Sequence, residues 1–180
     1  PEWVAPISTT YRGWTVYELP PNTQGIAALL MLNLMEQFPL AEYGFHSTRA
    51  LHVMIEAKKL AYADMLQHVG DQRFSRADVG SLLSKRAARD RAAQIDPARC
   101  ATDVRPSALA GVTTSVGTDT VYFCAIDKDG NIASVIQSIY EGFGTAIVPR
   151  GTGFALHNRG GLFTLEPNHA NTLAPRKRPL

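Results

Sequence analysis

The stretch from Val121 to Ile139 constrains this chain most. Two apolar, β-branched runs, Val121 to Ile126 and Ile132 to Ile139, flank the sequence Asp127-Lys128-Asp129-Gly130-Asn131. Runs of this composition form strands, and an Asp-Gly-Asn turn favours positive φ, so the pair closes as an antiparallel hairpin. Pairing centred on Asp129-Gly130 brings Ser138, at the far end of the second strand, back towards Thr120 at the edge of the first. Spacing alone favours the plain reading of Thr120, a β-branched residue that opens a strand, and Ser138 alone is as readily an ordinary strand serine. A chemical reading also exists. A threonine hydroxyl is a poor nucleophile without a base, but a threonine at a chain terminus can use its own α-amine. That amine titrates near about 7.7–8.0 and so can be neutral at working pH. Cutting between Asp119 and Thr120 would create such a terminus.

The region before the hairpin has helical periodicity. From about Gln24 to Gln37, Ile26, Leu29, Leu30, Leu34 and Met35 recur at helical spacing after the start signal Asn22/Thr23, and Pro39 closes the segment. A second helix is expected from Ser47 to His68, with Leu51, Met54, Ile55, Leu60 and Leu66 as its apolar positions, Thr48 as cap and Gly70 as stop. A third, from about Ser81 to Gln94, carries Lys85, Arg86, Arg89 and Arg91 and reads as a solvated basic face. Pro97 to Thr118 is rich in Pro, Gly and Ser and reads as an exposed linker leading to Asp119-Thr120. The chain therefore divides into a helical segment, 1–119, and a β-rich segment, 120–180.

Composition excludes several classes. A net charge of +2 is too small to indicate nucleic-acid binding, and no apolar run approaches the ~20 residues of a membrane span. Cys100 and Cys124 lack metal-ligand spacing and supply no disulfide framework, and Cys124 is expected to be a buried strand thiol. His46, His52, His68, His157 and His169 form no i, i+4 pair, so neither a metal site nor a cofactor is expected. Gly151-Thr152-Gly153 and Gly160-Gly161 read as tight turns, since neither opens a helix with the lysine of a phosphate loop. Pro167 to Pro179 is expected to be a loop, either covering a pocket or crossing the surface. Pro1 to Ile7 contains no Met and no secretory pattern, so an internal piece of a longer precursor is expected, with cytoplasm and periplasm both open as locations.

Asp119-Thr120 with its strand and turn, Ser134 to Ser138, Phe143-Gly144-Thr145 with Ile147-Val148, and Gly151-Thr152-Gly153 leading to Asn158 resemble the γ-glutamyltranspeptidase family. Upstream, Pro20-Pro21-Asn22-Thr23-Gln24-Gly25, Glu56 to Asp64 and Gly70-Asp71 look like the end of that family's large subunit. The resemblance implies an α+β N-terminal-nucleophile hydrolase with a four-layer α/β/β/α sandwich, of which this chain is part. It further implies cleavage between Asp119 and Thr120, Thr120 as nucleophile, and Ser138 where the family has a threonine that hydrogen-bonds it. The family's serine pair for substrate carboxylate, its glycine pair for the oxyanion and its early arginine have no counterpart in this sequence. The implied partners are the complementary parts of the two subunits and a small-molecule amide.

Three positions depart from the glutamyl-specific pattern. Where those enzymes place an asparagine, a glutamine and an aspartate around a substrate ammonium group, this chain has Tyr140, Arg159 and Leu162. A guanidinium there repels a cation and suits a carboxylate, which it can grip in bidentate fashion. The substrate expected is thus the amide of a small acid lacking an α-amine, such as oxamate, with Arg159 and Tyr140 as binding residues. Arg159 is also readable as a structural arginine of the loop Asn158-Arg159-Gly160-Gly161. The competing expectations are a true γ-glutamyl hydrolase or transferase, and an uncleaved, inactive precursor or structural fragment.

Overall fold

The computed structural model describes residues 3–75, 77–107 and 119–180. These fall into two compact units, one comprising residues 3–107 with the tail 164–180 and the other residues 119–163.

The first unit opens with a hairpin, β1 (Ile7–Tyr11) and β2 (Trp14–Glu18), paired from Ile7↔Glu18 to Tyr11↔Trp14. Arg12 and Gly13 both have positive φ, at 48° and 88°, as a two-residue I′-type turn requires. Helices follow: α1 (Gly25–Met35), α2 (Leu40–Tyr43), α3 (Thr48–His68), α4 (Val79–Leu82) and α5 (Lys85–Ala92). Helix α1 is apolar almost all round and is accordingly the centre of the core, with Ile26 and Leu29 fully buried. It packs on α3, α5 and the β1–β2 hairpin.

Helix starts differ in detail from expectation. Neither Asn22 nor Thr23 caps α1: the Thr23 hydroxyl donates back to the Leu19 and Pro20 carbonyls, and the Asn22 amide donates to the Pro179 carbonyl. Helix α3 is capped by Ser47, whose Oγ accepts from the Ala50 N–H at 3.1 Å, with Thr48 as the first helical residue. Its buried face is only partly the one expected: Leu60 is buried and Leu66 packs against the core. Leu51, Met54 and Ile55 are exposed, whereas the small residues Ala50, Ala57 and Ala61 join Val53, Leu60 and Met65 against the core. The third expected helix is interrupted: α4 ends before Ser84, whose hydroxyl caps α5 by accepting from Ala87 N–H.

Two members of the basic run, Lys85 and Arg91, are engaged in ion pairs, while Arg86 and Arg89 are exposed as expected. Lys85 Nζ lies 2.6 Å from Glu36 Oε2, and Arg91 grips Asp64 through Nε and Nη2 at 3.1 and 3.0 Å, both partners buried. Asp64 Oδ1 also accepts the Ser107 N–H at 2.6 Å, while Arg91 donates to the Arg105 carbonyl at 3.0 Å. The described half of the expected linker, up to residue 107, is therefore fastened to α3 and α5; residues 108–118 lie outside the described residues. The tail 164–180 returns to the first unit, where Asp71, fully buried, receives Arg73 and the backbone N–H of Arg178. As expected, the tail is a loop, with one isolated bridge at Thr164↔Thr172.

The second unit is the hairpin β3 (Asp119–Ile126) and β4 (Ile132–Tyr140), antiparallel with Ile126↔Ile132 at its turn. Asp127 organises that turn: its carboxylate accepts from the backbone N–H groups of Asp129 and Asn131 and from the Asn131 side chain, and Gly130 takes φ +83°. Cys124 is exposed, contrary to expectation. Neighbouring Val121 and Tyr122 point to opposite faces of the ribbon yet are 63% and 62% exposed, so neither face covers a thiol. Both strand pairs are two-stranded, and the described fold is α+β.

Candidate active site

The β3–β4 register contains one irregularity, at the residue of interest. Asp119 pairs with Tyr140 but Val121 with Gln137, so Ser138 and Ile139 together oppose Thr120. This is a β-bulge on β4, a device that re-aims a side chain at the end of a ladder. Here it sets Ser138 beside Thr120, whose Oγ donates to Ser138 Oγ at 3.1 Å. Thr120 is exposed and Ser138 half-buried.

Tyr140 ends the strand with φ +80°, a conformation that a bulky residue adopts only when its surroundings impose it. That geometry turns its N–H onto Ser138 Oγ at 3.0 Å. Its ring is buried, and the phenol pKa is raised, chiefly by that burial.

Arg159 sits in a single 3₁₀ turn, Arg159–Leu162, that the sequence suggested only as a loop. Asn158 fixes this turn to the end of β4: its N–H donates to the Ile139 carbonyl at 3.2 Å and its Oδ1 accepts from Glu141 N–H at 3.0 Å. The intervening loop is braced by Thr145 N–H to the Leu156 carbonyl and Leu156 N–H to the Ile147 carbonyl. Gly144, at φ +63°, passes so close to the Leu156 carbonyl that a Cβ would lie 2.3 Å from its oxygen. Gly151 and Gly153 also take positive φ in the turn expected there. The result is that Arg159 Nη2 donates to Ser138 Oγ at 2.7 Å while the guanidinium lies 5.1 Å from the centre of the Tyr140 ring.

Thr120, Ser138, Tyr140 and Arg159 therefore form one connected group, with the Thr120 hydroxyl, the Tyr140 N–H and the Arg159 guanidinium all directed at Ser138 Oγ. Arg159 reaches the group through Ser138, a link absent from both sequence expectations for it, a carboxylate-binding residue or a structural arginine of the loop. A guanidinium offers five N–H donors, so its engagement with Ser138 leaves others for a carboxylate. Leu162 belongs to the same turn, and the Asp119 side chain lies outside the described residues. The arrangement holds a hydroxyl in hydrogen-bond contact with a second, polarised hydroxyl beside a permanent positive charge, which suits the stabilisation of an anionic oxygen.

A separate grouping in the first unit went unread in the sequence. His52, Glu56 and Cys100 present ligand atoms within 4.8 Å of one another. The pattern escaped a search for paired histidines because it joins a His and a Glu one helical turn apart to a cysteine over forty residues later.

Comparison with known proteins gives the family of the chain. Residues 1–180 match the family model described as gamma-glutamyltranspeptidase. The chain is 41% identical over 177 residues, 98% of its length, to the glutathione hydrolase-like YwrD proenzyme of Bacillus subtilis, of which it covers 32%. It is 34% identical over 174 residues to the oxamate amidohydrolase proenzyme of Klebsiella pneumoniae, covering 97% of this chain and 31% of that protein. The crystal structure of cephalosporin acylase from Bacillus halodurans superposes with a TM-score of 0.84 at 43% identity, over 99% of this chain and 31% of that one. The chain thus spans about a third of the length of the relatives it matches, and it belongs to the gamma-glutamyltranspeptidase family.

Proposed function

We propose that this chain carries the subunit junction of an autoprocessing threonine amidohydrolase acting on the amide of a small carboxylic acid. The observation that carries the reading is the Thr120 Oγ to Ser138 Oγ contact of 3.1 Å at the bulge. In maturation the Thr120 hydroxyl attacks the Asp119 carbonyl carbon. The peptide nitrogen leaves as the Thr120 α-amine, giving an ester that water hydrolyses to free both ends. In turnover that amine takes the hydroxyl proton as Oγ attacks the substrate amide, and the proton passes to the departing amine. The acyl-enzyme is then hydrolysed, or aminolysed where an acceptor amine replaces water.

Ser138 orients the nucleophile, and Arg159 with Tyr140 forms the end of the pocket that takes the substrate carboxylate. The oxyanion donors, worth about 3–4 kcal/mol for a good one, come from complementary segments of the two subunits, which also complete a four-layer sandwich around the open β3–β4 ribbon. Activity on oxamate and related amides, compared with a γ-glutamyl anilide, tests the reading. Preference for the carboxylated amide, abolished in Thr120→Ala, is expected; a preference for the γ-glutamyl compound would transfer the assignment to a glutathione-type hydrolase. The name of the B. subtilis relative keeps that second reading alive.

A further inference from the structure

We propose that His52, Glu56 and Cys100 bind a single thiophilic divalent cation of the zinc class, at a site independent of the threonine chemistry. His52 and Glu56 share a face of α3 at i, i+4 spacing. Cys100 comes from the loop after α5 and is exposed, which leaves an entry path and room for a water as fourth ligand.

The spacing is close to what ligation needs. Zinc bonds of about 2.0–2.1 Å to nitrogen and about 2.3 Å to sulfur, at a tetrahedral angle, put the two ligand atoms about 3.6 Å apart. His52 Nδ1 and Cys100 Sγ are 3.9 Å apart, so a contraction of a few tenths of an ångström suffices.

The ring also faces the required way. His52 Nε2 lies 2.8 Å from the Asp96 carbonyl oxygen, which can only accept, so Nε2 carries a hydrogen and Nδ1 is the nitrogen turned to Cys100 for ligation. An imidazole whose far nitrogen donates to a carbonyl is the usual support for a ligating histidine.

Glu56 is buried and its carboxylate is held on both oxygens, Oε1 by Lys59 Nζ at 2.7 Å and Oε2 by the Ala101 N–H at 3.2 Å. Each oxygen keeps a second lone pair. Lys59 also donates to the Ala101 carbonyl at 2.9 Å, so the residue next to Cys100 is fixed to the same carboxylate. The Lys59 ammonium offsets the Glu56 carboxylate, so the thiolate formed on binding supplies the net negative charge that faces the cation. A mixed S, N, O donor set selects zinc or cobalt over magnesium or calcium. Binding replaces the Cys100 thiol hydrogen with the metal and releases one proton.

Cobalt(II) added to the purified, reduced, chelator-stripped protein tests this. The expected result is uptake of one equivalent with a thiolate-to-cobalt absorption band in the near-ultraviolet. Cys100→Ser, at an exposed position, should abolish the thiolate band, and both Cys100→Ser and His52→Ala should weaken cobalt binding about 100-fold. Cys124→Ser should leave the band unchanged. Absence of stoichiometric uptake, a band that survives Cys100→Ser, or one that vanishes in Cys124→Ser would each overturn the assignment.

Discussion

Replacing Asp64 with alanine probes how the segment leading to the cleavage point is held. Asp64 accepts from Arg91 Nε, Arg91 Nη2 and Ser107 N–H at 3.1, 3.0 and 2.6 Å. Without it, Arg91, 8% exposed, keeps only neutral acceptors among the described residues, namely Gln94 Oε1 and the Leu60 and Arg105 carbonyls. Stranding one member of a buried ion pair costs about 3–5 kcal/mol, and the orphaned Ser107 N–H adds about 1 kcal/mol. A combined loss of about 4–6 kcal/mol corresponds to a fall in Tm of about 8–24 °C for a domain of this size. Urea denaturation of wild type, Asp64→Ala, Arg91→Met and the double variant measures it. The double variant removes both charges and should be more stable than the sum of the singles by about 2 kcal/mol or more. Additive single effects, each below about 1 kcal/mol, would refute the claim that this pair fastens the segment.

Ser138→Ala should slow both cleavage at Thr120 and amide turnover by about 10- to 100-fold, the equivalent of one charge-assisted hydrogen bond, with Ser138→Thr restoring most of the rate; chain cleavage followed by gel and single-turnover kinetics checks both. Arg159→Gln should reduce kcat/KM for a carboxylated amide by about 10- to 100-fold and narrow its preference over a γ-glutamyl anilide. Asp71 has its carboxyl pKa held below the usual range, chiefly by the Arg73 hydrogen bonds. Its contribution is therefore present above the unfolded value of about 3.9 and is lost as pH falls from there through the lower folded pKa. Denaturation midpoints between pH 7 and pH 3 should fall less steeply in Asp71→Asn, which is already destabilised at pH 7.

The β3–β4 hairpin was legible because its turn chemistry and strand composition are local, and Thr120 and Ser138 follow from its register. The bulge was not, since an extra residue in β4 leaves no mark on an alternating pattern, and it is this bulge that aims Ser138. Arg159 was located as a site residue by resemblance, but its contact with Ser138 depends on Asn158 clamping a distant turn to β4. On α3, counting large apolar residues found Leu60 but also pointed to Leu51, Met54 and Ile55, whereas small alanines face α1, buried Glu56 is held by Lys59 one turn on and by the remote Ala101 N–H, and buried Asp64 by the remote Arg91 and Ser107. Of the basic run, Arg86 and Arg89 are solvated as expected, while Lys85 and Arg91 are drawn into ion pairs with the remote Glu36 and Asp64. The β1–β2 hairpin had a signal that went unread, a β-branched run broken by Arg12-Gly13.

Intact mass and N-terminal sequencing of the purified protein test the central claim most directly. A new chain beginning at Thr120 is expected in the wild type and an unbroken chain in Thr120→Ala. A wild-type chain that stays whole on long incubation, or a Thr120→Ala variant that is still cut before residue 120, would contradict it.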